Sequence, residues 1–135
     1  MKNKIMKSAK FIFCCIFFVA SASHSFAQND PYHTNNNIGL SNIYSDTLTF
    51  EQIKDISSIT INAPDKVVIS SYIFSYYIND NLMLHSIQGF NSAIQKEEIE
   101  KLLGIKPKII YVTELLGERG NEILILGQRK FYTKN

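Results

Sequence analysis

Val67-Val68-Ile69-Ser70-Ser71-Tyr72-Ile73-Phe74-Ser75-Tyr76-Tyr77 is the most β-prone run of the 135-residue chain, and its reading decides the fold. Up to Ile69 the odd positions carry the apolar bulk. Beyond it Tyr72, Phe74 and Tyr76 move that bulk to even positions, while Ile73 and Tyr77 keep the other side partly apolar. A strand side chain changes face at every residue, so such a change of phase calls for one extra residue, and the spacing predicts a bulge near Ser70-Ser71. Asn79-Asp80-Asn81 is then a turn, and Leu82 to Ile87 the returning strand of a hairpin.

On the N-terminal side, Ile59-Thr60-Ile61 alternates as a short strand ending at Asn62-Ala63-Pro64-Asp65. There proline fixes φ and the aspartate can bond nearby amides. Thr49 is placed to cap a helical turn through Phe50-Glu51-Gln52-Ile53. The Asn-rich stretch 28–46, with Pro31 and Gly39 as breakers, reads as a flexible lead-in whose Ile38, Leu40, Ile43 and Tyr44 dock on the domain or on a partner.

On the C-terminal side the period changes. Ser92 and Gln95 match a capping box, and Ile94, Ile99, Leu102 and Leu103 share one helical face against Gln95, Lys96, Glu97, Glu98 and Lys101. Gly104 is the expected stop, with Pro107 preventing resumption. Ile109 to Leu116 and Ile123 to Tyr132, joined by Glu118-Arg119-Gly120-Asn121, form a terminal hairpin. The expected class is mainly β, a small antiparallel sandwich or open Greek key with one short helix between strands, occupying residues 47–133.

Residues 1–27 read as an export signal. Lys2, Lys4, Lys7 and Lys10 precede an apolar run from Phe11 to Ala20, and Ser25-Phe26-Ala27 offers small residues for cleavage between Ala27 and Gln28. The apolar run is shorter than the roughly 20 residues of a spanning helix, so no membrane span is expected in the mature chain. Cleavage would remove both cysteines, Cys14 and Cys15, leaving 108 of 135 residues without disulfide or thiolate chemistry. It would also remove four of the 14 Lys and Arg and no Asp or Glu, leaving 10 against 12 and a net charge of −2 in place of +2. That balance gives nucleic-acid binding no electrostatic support. The expected address is the periplasm or the extracellular space.

No constellation of catalytic, cofactor-binding or metal-ligating residues emerges. His33 lies in the lead-in and His85 alternates with Met83 and Ile87, a half-buried strand position. Glu97, Glu98 and Glu100 stand beside Lys96 and Lys101 as on a solvated helix face. Ser70-Ser71 lacks a Gly-x-Ser-x-Gly context. Seven tyrosines with no tryptophan suggest a sheet with one solvated face, or a platform for peptide or glycan, and exposed strands of this kind can add a partner strand.

The stretch Leu48 to Thr133, about four fifths of the chain from Gln28, resembles the C-terminal domain of GldM, the periplasmic shaft protein of the type IX secretion and gliding machinery of Bacteroidota. The similarity is carried by Leu48-Thr49-Phe50-Glu51-Gln52-Ile53, by Val68-Ile69-Ser70-Ser71-Tyr72-Ile73-Phe74, and by Ile110-Tyr111-Val112-Thr113-Glu114-Leu115 after the helix. Gly120 falls where that family turns its last hairpin. Pro107-Lys108 replaces the family's usual Gly-Asp turn, and Arg129 stands where an apolar residue is usual. The resemblance implies a freestanding copy of an interaction domain, with no catalytic residues. The expectation is thus a non-enzymatic envelope protein that binds another envelope protein or itself, with Tyr72, Tyr76, Arg119 and Tyr132 as candidate surface residues. No cofactor and no small-molecule ligand are expected; the competing expectation is peptide or glycan binding on the tyrosine-bearing face.

Overall fold

The computed structural model describes residues 30–135, so the expected export signal, with cleavage expected between Ala27 and Gln28, lies outside the described residues. Among these residues no helix is long and apolar enough to cross a membrane. The domain is mainly β. Its strands are β1 (Ile38–Leu40), β2 (Thr47–Thr49), β3 (Ile59–Ile61), β4 (Val68–Asn79), β5 (Leu82–Phe90), β6 (Ile109–Arg119) and β7 (Glu122–Lys134). Helix α1 (Phe50–Lys54) follows β2 directly, and α2 (Lys96–Ile105) links β5 to β6.

Five strands form one sheet in the order β2-β7-β6-β4-β5, and β1 pairs with β3 in a separate two-stranded ribbon. All pairings are antiparallel except β2 with β7. Strands β5 and β6 both run antiparallel to β4 and hence parallel to each other. A hairpin turn cannot join parallel strands, and α2 supplies the crossover between them.

The bulge predicted in the opening strand is present. In the β4–β6 pairing Ile69 faces Gly117 and Ser71 faces Leu116, so Ser70 is the extra residue. Ile69 and then Tyr72, Phe74 and Tyr76 are all buried as a result, although they differ in parity. The neighbouring strand answers with its own extra residue near Glu114, whose φ of 48° marks the irregularity. Two cross-strand rows define the inner face of the sheet: His85, Tyr76, Ile110 and Phe131, and Ile87, Phe74, Val112 and Arg129. The core joins this face to Ile38 and Leu40 of β1, Leu48, Ile53 of α1, Ile59 of β3, and Ile99 and Leu102 of α2.

Thr49 caps α1 as expected, in a reciprocal box. Its hydroxyl accepts from the Gln52 amide at 3.2 Å and the Gln52 side chain accepts from the Thr49 amide at 2.9 Å. The second helix departs from expectation at both ends. Gln95 is its N-cap, with no side-chain cap bond, and Ser92 lies before the helix, where its carbonyl accepts from the Ile59 amide at 2.7 Å. Gly104 does not stop it either. The helix continues to Ile105, and Lys106 takes the left-handed conformation (φ 53°) that returns its amide to the Leu102 carbonyl, just before Pro107.

The lead-in is also corrected. Ile38 and Leu40 are fully buried, and the segment before them is stitched to β7 by the Asn35 amide donating to the Gln128 carbonyl and the Gln128 amide to the His33 carbonyl, at 2.9 and 3.1 Å. Arg129, only 3% exposed, completes the attachment. Its guanidinium donates to the carbonyls of Asn36 (2.6 Å), Ile38 (2.7 Å) and Tyr44, and to Asp46 Oδ1 (2.8 Å). Composition pointed to a loose segment; acceptor groups meeting a buried cation hold it instead. Of the two docking options, Ile38 and Leu40 take the domain.

Candidate interaction site

Strand β5 ends the five-stranded sheet, so one side of its backbone pairs with β4 and the other has no strand partner among the described residues. It is nine residues long, Leu82-Met83-Leu84-His85-Ser86-Ile87-Gln88-Gly89-Phe90, and holds no Asp, Glu, Lys, Arg or Pro. Edge strands are ordinarily protected from pairing by such residues, by shortness or by bulges. Here the protection is an extra residue, Leu84, between the pairs Tyr76–His85 and Tyr77–Met83, and an irregularity on β4 at Ile78, between Tyr77–Met83 and Asn79–Leu82. The opposite edge, β2, is three residues long. Leu82, Met83 and Phe90 are exposed by 50, 53 and 68%, which sets apolar surface at both ends of the open edge.

The strand is held from behind. On the inner face Gly89 lies directly beneath the Tyr72 ring: a Cβ placed there would fall 2.0 Å from Tyr72 Cζ. The Tyr72 hydroxyl reaches past it to donate to the Ala93 carbonyl, fixing the exit from β5. His85 stacks tilted on Tyr76, with ring centroids 5.2 Å apart, and brings Nε2 within 2.9 Å of Glu98 Oε2 on α2. That contact is one of proximity, since neither atom is in hydrogen-bond alignment. Lys101 approaches the other Glu98 oxygen at 3.2 Å.

Glu98 therefore corrects the expected solvated face. Glu97 and Glu100 are exposed, whereas Glu98 is turned inward over the edge strand. A histidine beside a carboxylate is half of an acid–base device, which also needs an approach for a reacting group. A concavity of about 540 Å³ runs between α1 and α2 over Ile56, Ile94, Ile99 and Leu103, and neither His85 nor Glu98 lines it. The His85–Glu98 contact sets the inner side of β5 against α2. Among the described residues no group of three or more His, Cys, Asp or Glu is placed to hold a metal ion.

Tyr72 and Tyr76 are 2% and 1% exposed and cannot be surface contacts, contrary to expectation. The bulge turns them to the inner face, which the ribbon and helices cover. Burial, and secondarily the Glu98 charge, pushes both phenols above their usual 10.0. The folded-state values lie above the unfolded ones, so the neutral phenols contribute stability that is complete below about pH 10 and lost as pH rises through the raised values. In an alkaline unfolding series, Tyr72→Phe is expected to move the onset to higher pH than in the wild type. An unchanged onset would show that neither desolvation nor Glu98 acts on that ring.

The other two predicted surface residues are accessible but far apart. Arg119 bonds Asp65 and Glu122 at 2.9 and 3.0 Å and faces Glu122 across the hairpin turn. Tyr132, 48% exposed, faces Ile109 near the other end of the same strand pair. With about 3.3 Å of rise per residue they are roughly 30 Å apart, too far for one small contact. Leu82, Met83 and Phe90 were the residues that sequence reasoning passed over. Their signal is the absence of formal charge and proline along β5, which stands out only once the strand is known to be an edge.

No family model, curated protein or solved structure matches the chain.

Proposed function

We propose that this chain is an exported, non-enzymatic β-domain that mediates protein–protein interaction in the bacterial cell envelope, by adding a strand to the open edge of β5. The observation that carries the reading is a nine-residue edge strand with no charged residue or proline and with exposed apolar residues at both ends. In strand addition the backbone groups supply affinity and the alternating side chains supply selectivity. The resemblance to the GldM C-terminal domain is the ground for placing the interaction in the envelope and for linking it to secretion or gliding machinery.

The test is recovery of bound protein from an envelope fraction on a tagged chain starting at Gln28. Wild type is expected to enrich one or two proteins, and Phe90→Lys, at a position 68% exposed, to lose at least about tenfold of that recovery. Equal recovery by both forms would remove β5 from the interaction.

A second reading, a peptide- or glycan-binding module, draws on the outer face of the sheet. There Tyr77 and Tyr111 meet edge-on at 6.3 Å between ring centroids, and Lys130 lies 5.5 Å over Tyr111. Saturable glycan binding abolished by Tyr111→Ala, with no protein recovered in the envelope experiment, would favour it.

A further inference from the structure

We infer that the strand completing the β5 edge is β5 of a second copy of this chain, in an antiparallel two-fold register centred on Ser86. The inference rests on the reading of β5 as a docking edge, and it identifies the occupant.

Three observations lead there. The first is electrostatic. A strand that meets its own copy places like residues near like residues, and directly opposed like charges are destabilising. Leu82–Phe90 carries no Asp, Glu, Lys or Arg, so self-approach meets no such penalty along its length, and His85 lies off the two-fold.

The second is the pattern of the strand. Exposed apolar residues, Leu82 and Met83 at one end and Phe90 at the other, flank a centre that is polar on the outer face through Ser86 and Gln88. Antiparallel pairing about Ser86 brings the apolar start of each copy against the apolar finish of the other. Gln88 then faces Leu84, Ile87 faces His85, and Ser86 faces its own equivalent. A shift of one residue would turn the inner faces of the two sheets to opposite sides, because side chains alternate at every residue from His85 to Phe90, past the extra residue at Leu84. The centre at Ser86 keeps both inner faces on the same side and matches the apolar ends.

The third is closure. The far edge is covered in pieces: β2 pairs with Tyr132–Lys134 of β7, and the segment His33–Asn35 bonds Gln128 and Leu126, which leaves a short stretch, Glu122–Ile125, that carries the charge of Glu122, so a copy joined through β5 offers no second long uncharged edge. The contact is isologous and stops at two chains, whereas two long free edges would propagate into fibres.

The experiment is sedimentation velocity on the chain from Gln28 onward, which contains every described element, across a concentration series. Wild type is expected to show a reversible monomer–dimer equilibrium. Ser86→Lys sets two ammonium groups across the two-fold and is expected to weaken dimerisation at least about tenfold, as is Ser86→Glu with two carboxylates. Mixing the two variants is expected to restore a dimer, since Lys then faces Glu. Ser86 is exposed, and the bond its hydroxyl accepts from the buried Ser75 at 3.1 Å is lost in both variants, so each should unfold near the denaturant midpoint of Ser86→Ala, which loses the same bond without adding charge.

Wild type that stays monomeric at every concentration, single variants that dimerise like wild type, or mixed variants that fail to recover would each overturn the self-pairing. Failure of the underlying reading is separable. A monomeric wild type that still captures envelope protein in a Phe90-dependent way overturns the second copy and leaves strand addition standing; capture independent of Phe90 overturns both.

Discussion

Replacing Arg129 with methionine is expected to cost about 3–5 kcal/mol in chemical denaturation, a large share of a stability of roughly 5–15 kcal/mol for a domain of this size. The guanidinium sits in an inner-face row with Val112, Phe74 and Ile87, and its desolvation is offset by four acceptors on the segment from Asn36 to Asp46. Its carbon centre also lies 5.0 Å from the Phe131 ring centroid. Methionine fills much of the volume and leaves three carbonyls without their donor. Those groups lose their bonds and, at Ile38 above all, stay out of reach of water. Lysine keeps the charge but not the planar fork that reaches several acceptors at once, so Arg129→Lys should recover only part of the loss. The Asp46 contact is a minor contributor, since that side chain is 74% exposed; Asp46→Asn is expected to cost under about 1 kcal/mol. Hydrogen exchange supplies the local readout: in Arg129→Met, the amides of Ile38 and Leu40 should lose protection more than those of the β6–β7 hairpin turn. A loss below about 1 kcal/mol, or uniform exchange, would show that the lead-in is held by its apolar side chains alone.

Gly89→Ala is the second large effect. The added methyl has no room: it would stand 2.0 Å from Tyr72 Cζ and 2.3 Å from its hydroxyl oxygen. Either the ring leaves its fully packed position or β5 moves off β4, and overpacking of this kind costs about 1–3 kcal/mol, with the upper end expected at so short a distance. The loss includes the bond from Tyr72 to Ala93, which fixes the segment leading into α2. A double-mutant cycle separates clash from propensity. Tyr72→Ala opens a cavity, yet in its presence Gly89→Ala should cost far less than alone, giving a coupling of about 1 kcal/mol or more. Additive losses would place the glycine's importance in its backbone freedom rather than in the ring above it.

Much of the fold was legible because its signals are local. The terminal hairpin, the Thr49 cap and the change of phase at Ser70 each depend on residues close together in sequence, and each is where the pattern set it. Glu98 and Arg129 were illegible for the opposite reason. A glutamate among charged helical neighbours looks solvated until His85 of another element is brought beneath it. An arginine in an apolar row looks anomalous until carbonyls 85 to 93 residues away are brought to it. The tyrosines misled on a finer point: the bulge was foreseen, but which face the ribbon and helices would cover depends on topology. The edge itself is a property of strand order, and order is not written in any single strand.

The seam between the lead-in and β7 also bears on how the domain comes to be folded. Asn35 reaches Leu126 and Gln128, Arg129 reaches Asn36, and Thr47 pairs beside Tyr132, so some of the earliest described residues wait for the last strand to arrive. Closing loops of this length precedes the contacts that reward it, which slows folding. A chain emerging from its N-terminus would hold Ile38 and Leu40 by the β1–β3 ribbon alone, without Arg129 beneath them, until its final dozen residues are free. Its vulnerability to aggregation and proteolysis is therefore greatest in that interval, and a truncation that removes only β7 would unseat the beginning of the domain as well as its end.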